Sequence, residues 1–257
     1  MLDGRRVLIS GVVNDSSIAF HAARRAIDLG AEIVLCAFPR DLDQAQATSS
    51  EHLGDAKVVP ADLIDPNDVE SLRSEITDAL GGLDAALHAI AFAPREALSG
   101  DFLEVPAERL DLAFQTSAVS FASMGRLLRD LCDRGEGSLV GLDFDSSGAW
   151  PVYNWMGVCK AALESVNRYA ARDLGPLGIR SNLVAAGPIH TRASGGIPDF
   201  DRLVDAWRGR SPLEWDEDDP AQVADSICFL LSSMSHGITG EILHVDGGYH
   251  AMSAPLR

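Results

Sequence analysis

The chain has 257 residues, 46% hydrophobic and 23% charged, with a formal net charge of −17. That balance describes a compact soluble protein rather than a disordered or collagen-like one, and its acidity argues against nucleic acid or an anionic membrane as a partner. No apolar run reaches the ~20 residues needed to span a bilayer and no secretory leader precedes the first one, so a cytoplasmic location is expected.

Short apolar runs alternate with longer stretches of helical period. Residues 7–10 predict a first strand and 17–29 a helix; 33–36 predict a second strand, followed by a polar helical stretch to about 53. A third strand is expected at 57–61, then a helix at 66–80 that starts on Pro66 with Asp65 as its cap. The fourth strand falls at 84–88, a long helix at 107–131, the fifth strand at 138–142 and a helix at 153–174. A sixth strand at 180–184, a helix at 220–232 and a seventh strand at 241–245 complete the series. The least regular stretch is 188–215, where Gly195, Gly196, Pro198 and Pro212 bracket an amphipathic segment at 200–207; 253–257 reads as a frayed tail.

Strands apolar on both faces and separated by helices imply a parallel sheet covered on both sides. Right-handed crossovers then favour a doubly wound, Rossmann-like α/β sheet of seven strands. No linker, repeat or low-complexity tract interrupts the pattern, so residues 1–257 are expected to form one domain. Cys36, Cys132, Cys159 and Cys228 are scattered without a Cys-x-x-Cys pair, which predicts reduced thiols. The seven histidines show no metal-ligand spacing, and no metal site is expected.

In such a sheet the turn after the first strand is where a pyrophosphate meets backbone N–H groups and the positive end of a helix. Here that turn runs from Gly11 to Ser17 with one glycine instead of three, which fits equally a plain turn and a helix cap. Asp62 after the third strand is placed to accept from an adenine amino group. Ala89, Ile90 and Ala91 after the fourth let a ribose approach the backbone, and Gly187, Pro188 and Ile189 after the sixth expose main chain to a carboxamide. Each alone has a turn or packing explanation. After the second strand, Phe38-Pro39-Arg40 stands where an acidic residue would bind the ribose; Arg40 could face a 2′-phosphate, so these residues leave NADH and NADPH both open.

Tyr153 and Lys160 are seven residues apart, and Phe144 precedes the tyrosine by nine. At ~3.6 residues per turn, seven steps return to nearly the same helix face ~10 Å further on. A phenol and an ammonium so spaced can hold a ligand between them, the phenol bonding an oxygen that gains charge. Alone, the pair is also what a surface lysine and a half-buried tyrosine on an amphipathic helix would show; the cradle in the matching places favours the ligand.

With these residues in place, the chain resembles the enoyl-acyl carrier protein reductases, a divergent branch of the short-chain dehydrogenase/reductases, and in particular the bacterial NADH-dependent type in its actinobacterial form. The likeness spans nearly the whole chain, including 11–21, 88–92, 143–145, 153–156, 160–168 and 180–189. Ordinary family members space the Tyr and Lys by four and carry a Ser thirteen residues before the Tyr, where Val140 stands here. The resemblance implies reduction of a trans-2-enoyl thioester of acyl carrier protein or coenzyme A. Tyr153 would stabilise the enolate oxygen, Lys160 would hold the nicotinamide ribose, and Phe144 would shape the approach of the double bond.

The resemblance further implies a cofactor site of Gly11, Val12, Ser17, Ile18, Phe38, Asp62, Leu63, Ala89, Ile90, Ala91, Lys160, Gly187, Ile189 and Thr191, and a substrate site of Phe92, Phe144, Met156 and Tyr153. Phe38 matches the family and moves the expected cofactor to NADH. A homotetramer is implied, with 188–215 as a substrate lid; its shortness after Thr191 implies short-to-medium acyl chains.

Three positions depart from the relatives: Ala89 and Ala91 replace Ser and Gly, which predicts weaker NADH binding, and His190 replaces Arg. Arg192, Arg202, Arg208 and Arg210 near the lid form either a basic patch for an acidic carrier protein or solvated pairs with Asp199, Asp201 and Asp205. Two other functions fit the scaffold: a ketone or hydroxysteroid-type reductase, and an NAD-binding sensor without catalysis.

Overall fold

Seven aliphatic runs, each too short for a stable helix, pair as strands: β1 (Arg6–Ser10), β2 (Glu32–Ala37), β3 (Val58–Pro60), β4 (Ala85–His88), β5 (Gly137–Asp143), β6 (Ile179–Ala186) and β7 (Ile242–Val245). In the computed structural model, which describes residues 1–254, they form a parallel sheet in the order β3-β2-β1-β4-β5-β6-β7. The chain winds outward from β1 to β3, then returns to place β4 on the other side of β1, with Val7 opposite Ala85 and Ile9 opposite Leu87. That reversal opens a crevice beyond the carboxyl ends of β1 and β4, the place where open α/β sheets take their ligands.

The helices are α1 (Ile18–Asp28), α2 (Leu42–His52), α3 (Pro66–Leu80), α4 (Arg95–Leu98), α5 (Ala107–Phe114), α6 (Ser120–Leu131), α7 (Asn154–Leu174), α8 (Asp201–Arg210) and α9 (Ala221–Leu231). Ser17 starts α1 by accepting the Phe20 N–H at 3.1 Å. Asp65 starts α3 by accepting from Asn67 at 2.8 Å, with Pro66 in the first turn, where its missing N–H costs nothing. Because strand side chains alternate, Val7 and Ile9 point into one apolar layer with α1, α8 and α9, while Leu8 points into the other with α3, α6 and Leu163 and Leu174 of α7.

The expected strands and main helices lie within a residue or two of the observed ones, and the segment expected at 200–207 is α8. One expectation needs correction. The helix expected at 107–131 widens into a π-turn at Gln115–Val119 between α5 and α6, and the short α4 was not foreseen. A π-turn shifts the helix face by about one residue, but here the shift falls in Gln115–Val119, whose small and polar residues mark no clear apolar stripe, so periodicity does not reveal it. Of the tail expected at 253–257, residues 255–257 lie outside the described residues. All four cysteines are free, and among the described residues no helix is long and apolar enough to cross a membrane.

Candidate active site

Gly11 ends β1 with φ +85°, in the left-handed region, and a Cβ there would stand 2.1 Å from the Ala89 carbonyl oxygen. Glycine therefore lets the β1 turn and the end of β4 approach each other. Ser10, fully buried and not anticipated from sequence, ties them together: its hydroxyl donates to the Leu87 carbonyl at 3.0 Å and accepts the Ala89 N–H at 3.1 Å. Val12 is buried beneath the turn, and Ile18 is the first residue of α1. The N-terminus of an eleven-residue helix facing a glycine turn is suited to a pyrophosphate.

The other cofactor positions line the same carboxyl edge. Phe38, 45% exposed after β2, offers a flat ring, with the Arg40 guanidinium 5.1 Å from its centroid. Leu63 is buried, while Asp62 uses Oδ1 to accept the Ile64 N–H at 3.1 Å. Ile90 packs against the core and Ala91 is exposed. Gly187 and Ile189 are buried after β6. Thr191 and Ser194 bond each other's N–H groups at 2.8 and 3.1 Å and share a hollow with Ser16 and His190, which brings the 188–215 segment across to the β1 turn. An extended dinucleotide fits this arrangement: a turn only glycine can make, a helix start beside it, and an exposed ring at the far end.

At the other end of the crevice, β5 delivers Asp143 and Phe144, and α7 begins just after Tyr153. Phe144 and Tyr153 are both 8% exposed, with ring centroids 4.9 Å apart. Met156 is buried in the first turn of α7. Lys160 is buried too and donates to the Leu142 carbonyl at 2.8 Å. Phe92 stands apart from this group; its ring lies 6.0 Å from the Arg40 guanidinium, on the Phe38 side.

Burial sets the electrostatics. It pushes the Tyr153 phenol well above its ordinary range, with Asp143 adding to the rise, so the group is a protonated hydrogen-bond donor. Burial lowers Lys160 while Asp143 opposes the fall. Asp143 itself was only part of the sequence likeness and had no role assigned. Burial raises its carboxyl to about 7 against the pull of Lys160, and neither oxygen has a hydrogen-bond partner among the described residues. His88, buried at the end of β4, is pushed down to about 3 by burial and by Lys160, and its Nε2 lies 2.7 Å from the Ser120 hydroxyl. Lys160 is thus a buried amine whose charged form burial disfavours and the neighbouring Asp143 carboxyl favours.

The π-turn explains how the end of β4 is held. Ser117 donates to the Phe92 carbonyl at 3.1 Å and accepts its N–H at 3.0 Å, while Ser120 donates to the Thr116 carbonyl at 2.6 Å. No periodic signal could have found these clamps. The arginines near the lid are mostly engaged: Arg208 pairs with Glu217 and Asp205, Arg210 donates to the Met252 carbonyl, and Arg192 to Gln44. His190 pairs with Asp218 at 2.7 Å.

Comparison with known proteins agrees with this geometry. Residues 11–250 match the family described as Enoyl-(Acyl carrier protein) reductase. The enoyl-[acyl-carrier-protein] reductase [NADH] of Mycolicibacterium smegmatis is 38% identical over 262 residues, covering 96% of this chain and 97% of that protein. The protein of the same name from Mycobacterium avium is 40% identical over 261 residues, with 96% and 97% covered. A Neisseria meningitidis enoyl-[acyl-carrier-protein] reductase [NADH] is 35% identical over 250 residues, with 96% and 95% covered. The glycine turn against β4 and the buried phenol and ammonium at the start of α7 therefore sit in a chain that belongs to the enoyl-acyl carrier protein reductase family.

Proposed function

We propose that this protein reduces the trans-2 double bond of enoyl thioesters, carried on acyl carrier protein or coenzyme A, with NADH, in fatty acid biosynthesis. The observation that carries this reading is a buried, protonated Tyr153 phenol beside a buried Lys160, at the opposite end of a crevice from the Gly11 turn. NADH bound along that crevice supplies the hydride. Gly11, Val12, Ser17, Ile18, Ala89, Ile90 and Ala91 hold its phosphates and ribose, Phe38, Asp62 and Leu63 its adenosine end, and Gly187, Ile189 and Thr191 its carboxamide side. Phe38, which matches the family, and relatives named as NADH-dependent support NADH over NADPH.

As charge builds on the thioester oxygen, the Tyr153 phenol donates to it; a donor in a water-poor site needs no reorganisation at that moment. Lys160 binds the nicotinamide ribose and adds a positive field at the same oxygen. Phe144 and Met156 shape the acyl side, with 188–215 as the lid, while Phe92 lies off toward Arg40 and is left out of the substrate site. Carbonyl reduction fits less well: Val140, fully buried in β5, offers no hydroxyl to a ketone. A single-domain, cytoplasmic homotetramer completes the proposal.

The test is NADH oxidation with crotonyl- and octenoyl-coenzyme A beside a panel of ketones. Tyr153→Phe is expected to lower enoyl turnover ~10²–10³-fold while leaving the NADH dissociation constant nearly unchanged. Ketone reduction without enoyl reduction, or full turnover in the variant, would sink the assignment.

A further inference from the structure

Three large rings beyond Phe144 have no part in the chemistry above. Phe144 meets Trp150 at 5.1 Å and Trp207 at 5.6 Å between ring centroids. Trp150 lies 5.1 Å from Trp207 and 5.6 Å from Tyr249. Trp207 and Tyr249 stack at 3.8 Å, 8° from parallel. The rings come from distant parts of the chain: the loop between β5 and α7, the lid helix α8, and the turn after β7.

Each ring is anchored. The Trp150 indole N–H donates to the Asp145 carbonyl, and that of Trp207 to the Asp246 carbonyl at 3.1 Å. The Asp246 carboxylate accepts the N–H groups of Gly248 and His250 at 2.9 Å each, which fixes the turn carrying Tyr249. The Arg210 guanidinium lies 4.4 Å from the Tyr249 centroid. Behind Trp207 is main chain, so close that a Cβ on Gly187 would stand 2.8 Å from the indole nitrogen. Rings in mutual contact, with their polar ends bonded and backbone behind Trp207, resist displacement by added methylenes.

We propose that Trp150, Trp207 and Tyr249 form a fixed end wall to the acyl site, which makes the enzyme favour short-chain over long-chain enoyl thioesters. The proposal rests on the enoyl-reductase reading: a thioester oxygen at the Tyr153 phenol seats the acyl chain beside Phe144, whose ring Trp150 and Trp207 already contact. The lid does not relieve the limit, because α8 itself contributes Trp207 and is tied to the carboxyl-terminal turn through Arg210.

The test compares kcat/KM for crotonyl-, octenoyl- and dodecenoyl-coenzyme A in the wild type and in Trp150→Ala, Trp150→Leu and Tyr249→Ala. The wild type is expected to fall about tenfold or more from crotonyl to dodecenoyl, and removing a ring to raise the dodecenoyl-to-crotonyl ratio by a similar factor. Tryptophan fluorescence titrations with butyryl- and dodecanoyl-coenzyme A give a second reading, with the shorter ligand binding the wild type more tightly. Wild-type efficiency that climbs to dodecenoyl, or a ratio unchanged in folded variants, overturns the wall while leaving the reductase standing. No NADH oxidation at any chain length overturns the reductase reading and the wall together.

Discussion

Around β1 and β4 the site is made of main chain and small side chains: a left-handed glycine against a carbonyl, a serine bridging two strands, a helix start. Beyond β5 it is made of large rings and buried ionisable groups brought from four separate stretches of sequence. The first kind of site suits a ligand bound along its length by backbone donors, and it tolerates little added volume. The second suits a reaction whose charge must be steadied in a dry environment and whose chain must be measured, and its properties follow from what each side chain buries.

If that contrast is sound, the two ends should fail differently. The largest effect belongs to the backbone end. Gly11→Ala adds a Cβ that meets the Ala89 carbonyl at 2.1 Å and forces a left-handed φ on alanine, so a loss of about 3 kcal/mol in stability is expected. Urea denaturation with and without NADH would measure it, and a loss under about 1 kcal/mol would mean the turn moves freely.

The side-chain end should show itself through pH. Asp143 has a folded pKa raised to about 7 from 3.8, so its contribution is present below the lower value and is lost as pH rises through about 7. His88 is depressed to about 3 from 6.5, so its contribution is present above about 6.5 and is lost as pH falls toward 3. The two trends oppose each other in the wild type. Asp143→Asn should remove the decline toward neutral pH, on the order of 2 kcal/mol, and leave the acid-side loss due to His88. Stability curves of wild type and variant that keep the same slope between pH 5 and 8 would contradict this.

The smallest effect returns to the backbone end. Ser17→Ala removes the hydroxyl that accepts the Phe20 N–H, with an expected cost of about 1 kcal/mol to α1. With that turn as the proposed phosphate cradle, NADH affinity should fall as well; affinity unchanged alongside a measured stability loss would separate the cap from the cradle.

Sequence reasoning reached these two ends unequally. Asp65, Pro66 and Ser17 announce helix starts because capping is a contact between near neighbours, and both caps are made as expected. The seven-step interval from Tyr153 to Lys160 survives because it lies along one helix. Ser10 was overlooked because a serine inside an apolar strand gives no hint that it bonds the next strand but two in sequence. The π-turn is hidden because its shift of the helix face falls among the small and polar residues Gln115–Val119. Phe92 turned out to lie toward Arg40 because the bend after β4, which aims it, is clamped by Ser117 from a helix 25 residues away.

Alternating apolar runs and helical stretches, local caps and one spaced pair of side chains were enough to give the doubly wound sheet, the carboxyl edge proposed for the cofactor, and the phenol and ammonium, since each is written in residues close along the chain. Tertiary packing alone decided the stacked wall of Trp150, Trp207 and Tyr249 and the burial of the Asp143 carboxyl. Those depend on which distant segments share a buried volume and how much water that volume excludes, quantities that exist only once the chain has closed on itself.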